Sequence, residues 1–154
     1  MSVSHEELVA TVERARLSGD WGPVTRAIPY ARFLGLHAET HEGELRMRLA
    51  FSPGLVGNSS IPALHGGTLG ALLESAAIFE LLSRMETVVL PKTITVTIDY
   101  MRSGRAVDTW AKATIAKHGR RVASVHAVAW QEDQAKPIAS ATAHFLVLGG
   151  DDEK

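Results

Sequence analysis

The apolar positions change period along this chain, and the changes mark its elements. Ser4-His5-Glu6-Glu7 has the spacing of a capping box, and Leu8, Val12 and Ala15 follow at helical intervals until Ser18-Gly19. A short amphipathic lead-in helix is predicted. Asp20-Trp21-Gly22-Pro23 breaks it, and Pro23 starts a second helical turn through about Ile28, just before Pro29. From Phe33 the period becomes two: Leu45, Met47, Leu49 and Phe51 alternate with Glu44, Arg46 and Arg48 after the Glu42-Gly43 turn, a strand with one wet face. Leu34 to Thr40 is its hairpin partner. Ser52 to Ala63, rich in Pro, Gly, Asn and Ser, reads as a loop without regular structure. Leu64-His65-Gly66-Gly67 then turns into Thr68 to Leu82, a helix apolar nearly all the way round and therefore buried.

Beyond the helix, Pro91 restarts the chain, and Ile94, Val96, Ile98 and Tyr100 alternate with Thr93, Thr95, Thr97 and Asp99. Ser103-Gly104 turns this strand. Val107 to about Lys117, Val122 to Gln131 and Ile138 to Leu148 follow, joined at Gly119 and by a polar hairpin from Trp130 to Lys136. Two strands before one long helix and four after it bury both apolar surfaces if a single curved antiparallel sheet of about six strands wraps the helix, an α+β fold. The chain reads as one domain over 1–154, with residues 1–28 a helical lead-in and 149–154 a polar, frayed tail.

Composition narrows the chemistry. Sixteen Lys and Arg against seventeen Asp and Glu leave a net charge of -1, with no global footprint for nucleic acid or an anionic membrane, so an anionic ligand must be met locally. Without cysteine there is no thiolate nucleophile, disulfide framework or Cys-based zinc site. The histidines form no metal-binding spacing, His37 and His41 falling in a predicted hairpin, so no metal is expected. The N-terminus lacks a basic region followed by an apolar run, and no apolar stretch is long enough to span a bilayer; a soluble, cytoplasmic protein is expected. One anomaly stands out. Glu74 lies among Leu72, Leu73, Ala76, Ala77 and Ile78, and a carboxylate is almost never fully buried unless it is paired or functional.

His65-Gly66-Gly67, a carboxylate nine positions on, and four strands thereafter together resemble the hotdog-fold acyl-CoA thioesterases, most of all the phenylacetate-degradation (PaaI-like) branch. The similarity runs over roughly residues 29 to 148 and includes Tyr30-Ala31-Arg32-Phe33-Leu34-Gly35, Ile98-Asp99-Tyr100-Met101-Arg102 and His118-Gly119-Arg120-Arg121-Val122. It implies hydrolysis of an acyl thioester, usually of coenzyme A, without a metal, in a homodimer of side-by-side sheets that often pairs into a tetramer. No separate cofactor is expected, coenzyme A being part of the substrate.

Thioester hydrolysis needs a polarised carbonyl and a base or nucleophile beside it. Backbone N–H groups of Gly66 and Gly67, at the positive end of the helix, are suited to a developing oxyanion, although a glycine pair also serves simply to turn the chain. Glu74 either attacks the carbonyl or activates a water. Seven residues separate Gly67 from Glu74, returning to the same helix face but about 10 Å along the axis at 1.5 Å per residue. One carbonyl cannot touch both. A two-fold dimer with antiparallel central helices brings the glycine end of one chain to Glu74 of the other, so composite sites are expected, two per dimer.

His65 is expected to orient the loop through a backbone hydrogen bond, with substrate contact as the alternative. The resemblance directs attention to the position six residues before the histidine, Ser59, with Asn58 beside it, either of which could orient the water or Glu74. It also shows Ile78 where family members often carry a water-holding Thr or Ser, and Glu74 where many carry Asp. Arg102, Arg120 and Arg121, at predicted strand ends or turns, are candidates for coenzyme A phosphates. Phe79 and Leu82 are candidates for the acyl pocket, or plain core. Two other functions fit the same fold: a non-catalytic acyl-CoA binding module, and a hotdog dehydratase or hydratase.

Overall fold

The computed structural model describes residues 3–86 and 88–148. The lead-in comprises α1 (His5–Ser18), α2 (Gly22–Ala27) and α3 (Pro29–Leu34). Ser4 caps α1 reciprocally with Glu7, and Gly19, at φ 76°, closes it in the left-handed conformation. The third helix replaces the start of the predicted first strand. Pro29 stands at its first position, where its fixed φ is already helical, while Ala31 and Leu34 turn one face into the core. Gly35, at φ 72°, then ends it.

Strands β1 (Leu36–His41) and β2 (Glu44–Leu49) precede the long helix α4 (Gly66–Arg84). Between them and α4, the segment expected to be an irregular loop is ordered instead: a 3-10 turn at Pro53–Leu55 and a two-stranded ribbon of β3 (Val56–Asn58) and β4 (Ile61–Leu64). Buried Leu55 and Leu64 anchor it, and at its tip Asn58 Oδ1 accepts the Ser60 N–H at 2.9 Å, the side chain closing the turn. Pro62 is tolerated because a two-stranded ribbon is all edge.

After α4 come β5 (Lys92–Tyr100), β6 (Thr109–His118), β7 (Val122–Trp130) and β8 (Ala139–Leu146). The six long strands form one antiparallel sheet in the order β1-β2-β6-β7-β8-β5, wrapped round α4 in the hotdog arrangement. Volume is divided between the layers. The inner face of β6, β7 and β8 is lined mainly by alanine (Ala111, Ala127, Ala141 and others), while α4 supplies Leu69, Leu72, Leu73, Phe79, Leu81 and Leu82. Small residues on the sheet let the helix lie close, and its large side chains fill the groove to native density. The polar tail, residues 149–154, lies outside the described residues.

Two features of this frame matter for the site. First, α4 is not buried all round: Gly67 is exposed, and Ala71, Glu74, Ser75 and Ile78 form a stripe that its own chain covers only in part. The carboxylate that is buried in α4 is Glu80, 9% exposed and ion-paired to Arg84 Nε at 2.9 Å one turn on. Second, β5 is the last strand of the sheet, bonded on one side to β8, with no strand on its other side among the described residues.

Candidate active site

The first turn of α4 is set by rings packed on glycines. His65 is the N-cap, and its Nδ1 accepts the Gly67 N–H at 2.9 Å. Its carbonyl accepts the N–H of Thr68 at 2.9 Å and of Leu69 at 3.4 Å. Of the first four amides of the helix, Gly66 N–H is therefore the one with no acceptor among the described residues, and Gly67 N–H is already engaged. A Cβ on Gly67 would stand 3.0 Å from His65 Nδ1, and one on Gly57 would stand 2.8 Å from Cδ2 of the same ring. Glycine on both sides is what lets the imidazole sit flat between β3 and the helix. A Cβ on Gly66 would meet the Tyr100 ring at 3.2 Å, and the Tyr100 hydroxyl donates to the Gly66 carbonyl at 2.8 Å.

Glu74 lies two turns further along. Its Oε1 accepts a hydrogen bond of 2.6 Å from the Thr93 hydroxyl. Sequence reasoning missed Thr93, because clean alternation in β5 puts it on the face opposite Val96, Ile98 and Tyr100. The pairing register shows why it fails. Thr93 pairs with Phe145 and Thr95 with His144, so two steps on β5 match one on β8, and the extra residue reverses the alternation at the start of the strand. Thr93 turns toward α4, and Ile94, counted among the inward residues, is 53% exposed. The hydroxyl absent at Ile78 is thus present on Glu74 from another element. Asn58 and Ser59, the candidates for that task, stand at the exposed tip of the β3–β4 ribbon; Asn58 Oδ1 is held by Ser60, and neither residue hydrogen-bonds to Glu74.

The three arginines divide between the two ends of the sheet. Tyr100 pairs with Ala139 and Lys92 with Leu146, while Val122 also pairs with Leu146. Arg102 consequently lies beyond the end of β5 nearest Gly66, whereas Arg120 and Arg121, in the β6–β7 turn, lie at the end nearest Thr93. The nine residues of β5 separate the ends by roughly 25 Å at about 3.3 Å per residue. At the Gly66 end a cleft of about 430 Å³ is lined by Gly66, Leu69, Tyr100, Arg102 and Ser103. It adjoins a second, of about 260 Å³, where Arg102 and Ser103 meet Arg105 and Lys136 together with Glu132 and Asp133, Arg105 being ion-paired to Glu132. Phe79 and Leu82 are each 2% exposed and belong to the core, the Phe79 ring lying 6.0 Å from that of Trp21. Among the described residues no cluster of His, Asp or Glu side chains is arranged to hold a metal.

Residues 57–146, which span β3 to β8 and contain His65, Glu74, Thr93 and Tyr100, match the model of the acyl-CoA thioesterase N-terminal domain. The chain belongs to the acyl-CoA thioesterase family. It is 34% identical to the medium/long-chain acyl-CoA thioesterase YigI of Salmonella typhimurium, over 78% of this chain and 86% of that protein. Among solved structures, a protein of Chromobacterium violaceum is 37% identical and superposes with a TM-score of 0.72 over 92% of this chain and 98% of its own. The phenylacetic acid degradation protein PaaI of Thermus thermophilus, 23% identical, shares the fold at a TM-score of 0.64 over 79% of this chain and 100% of its own. Family membership makes this protein a thioester hydrolase. It carries the substrate class but not the roles of individual side chains.

Proposed function

We propose that this thioesterase hydrolyses medium- to long-chain acyl-CoA at two sites shared across a homodimer built on β5. The observation that carries the reading is the Thr93–Glu74 pair, formed between β5 and the stripe of α4 that its own chain covers only in part. Beside that stripe β5 offers an unpaired sheet edge with Ile94 53% and Tyr100 54% exposed, a combination that a second copy buries. Antiparallel pairing of two β5 strands about a two-fold axis sets the Thr93 end of one chain beside the Tyr100 end of the other. Glu74 then faces the partner's Gly66, as two groups about 10 Å apart on one helix never could.

The substrate carbonyl oxygen accepts the partner's Gly66 N–H, at the positive end of its helix, where the charge of a tetrahedral intermediate develops. The Glu74 carboxylate, steered by Thr93, takes a proton from water as the water oxygen attacks the carbonyl carbon. Direct attack by Glu74 to form a mixed anhydride is the alternative route. Collapse of the intermediate breaks the carbon–sulfur bond, the proton held by Glu74 passes to the leaving sulfur, and coenzyme A thiol and the carboxylic product are released with Glu74 restored as carboxylate. The same two-fold operation carries the partner's Arg102 toward Arg120 and Arg121, gathering charge for the coenzyme A phosphates that no single chain collects. The relative's medium/long-chain activity is the basis for the acyl class.

Ile78, where a water-holding hydroxyl is expected, is the argument for a second reading in which Glu74 is not the catalytic group; the Thr93 hydroxyl on Glu74 weakens it. Thiol release from acyl-CoAs of graded chain length, with wild type and Glu74→Gln, separates the two. Turnover that requires Glu74 and rises toward the longer chains is expected, and binding without Glu74-dependent turnover overturns it. Mixed dimers of Glu74→Ala and Gly66→Val chains test the shared site. They should regain one working site in two, whereas mixed dimers as inactive as either parent would place the site within one chain.

A further inference from the structure

The Gly66–Gly67 peptide is held at both ends. Its oxygen accepts the Tyr100 hydroxyl at 2.8 Å, and its N–H donates to His65 Nδ1 at 2.9 Å. The rings that make these bonds occupy the space that side chains at Gly66 and Gly67 would take, at 3.2 Å and 3.0 Å from the Cβ positions. Two successive glycines have the widest backbone freedom any dipeptide has, and here they open the helix that carries the free Gly66 donor. An oxyanion donor works only if its orientation is fixed before charge develops. His65 anchors the peptide from the helix side, and Tyr100 anchors it from β5.

We infer that Tyr100 is a positioning residue for thioester hydrolysis: its phenol, bonded to the Gly66 carbonyl, fixes the helix N-terminus so that the Gly66 N–H is aimed at the oxyanion. The inference rests on the proposed shared site, in which Glu74 acts on a carbonyl held by the Gly66 N–H. Tyr100 belongs to the edge strand and Gly66 to the helix, so the bond also ties the geometry of the donor to the seating of β5, the strand proposed to pair with the partner. The ring alone packs against Gly66; the hydroxyl alone adds directional restraint. The two contributions are separable.

Tyr100→Phe keeps the ring and removes the hydrogen bond. Its kcat on an acyl-CoA is expected to fall about three- to tenfold, the worth of one hydrogen bond realised at the transition state, with KM changed less than twofold. A non-hydrolysable thioether analogue of the acyl-CoA should bind the variant as it binds the wild type. Unchanged kcat overturns the inference, and so does weakened analogue binding, which would make Tyr100 a substrate-binding residue instead. A melting temperature within a few degrees of wild type shows that the variant folds. If it falls further, kcat is measured at a lower temperature where the variant is folded by circular dichroism, and a value there equal to wild type overturns the inference. Glu74→Gln, assayed alongside, keeps this separate from the parent reading. Loss of activity there with normal Tyr100→Phe turnover defeats the Tyr100 role alone, and full Glu74→Gln activity defeats the parent reading.

Discussion

The Thr93 hydroxyl lies 2.6 Å from Glu74 Oε1, a contact made across nineteen residues of chain by one extra residue in β5. Removing the hydroxyl while keeping the shape, in Thr93→Val, leaves the carboxylate free to rotate away from its line of attack. We expect kcat to fall about tenfold to a hundredfold, the range for a misplaced catalytic group, with Thr93→Ser close to wild type. Thiol-release kinetics on one good acyl-CoA substrate check this; equal losses in Val and Ser would tie the effect to packing.

Ile94 is the residue the β5 bulge turns outward, so a charge there leaves the fold of one chain intact. If two β5 edges pair, Ile94→Asp sets like charges near the seam and buries them without partners. Sedimentation should show monomer at micromolar concentration, and activity should be lost in step with dissociation. A fully active monomer would refute the shared site.

His65 caps α4 through its side chain, and Gly57 makes room for its ring. His65→Ala removes the cap, worth about 0.5–2 kcal/mol. For a chain of this length that is a fall in melting temperature of roughly 1–8 °C. Gly57→Ala, whose methyl would stand 2.8 Å from the ring, should lower activity through the same cap. Calorimetry of both variants, with kcat measured on each, is the check.

Arg102 and the Arg120–Arg121 pair lie at opposite ends of one chain's sheet but at one site of the proposed dimer. Alanine at either location should raise KM for an acyl-CoA, with an effect that shrinks as salt rises, and leave KM for the matching N-acetylcysteamine thioester unchanged, since that substrate has no phosphates. If only one location responds, the two are not at one site.

Much of this protein is legible in its periodicities. Residue i+2 alternation gave β2 and most of β5, turn residues delimited β6, β7 and β8, and the capping box and Gly19 gave both ends of α1, because these signals depend on neighbours within a turn or a pleat. His65, Gly66 and Glu74 were legible for a related reason. A glycine turn opening an apolar helix and a carboxylate inside it depart from local expectation, which makes them candidates, although the carboxylate that the fold buries is Glu80. Shorter signals were less readable: α3, one and a half turns opened by a proline, and the ribbon at 56–64, whose Pro and Ser content reads as loop.

What only the tertiary structure decided is where side chains from distant segments meet. One inserted residue opposite β8 reverses the facing of Thr93 and Ile94, and nothing in the order Thr-Ile-Thr-Val reveals it, because a bulge is a property of two strands and not of one. The engagement of Gly67 N–H by His65, and of the Gly66 carbonyl by Tyr100, likewise depends on rings entering spaces that glycine leaves empty. The sequence alone determined which groups could do the chemistry, since residue type sets acidity and donor capacity. Packing decided which of them are free to do it: Gly66 N–H left open, Gly67 N–H taken, and Glu74 held by a hydroxyl from the far end of an edge strand.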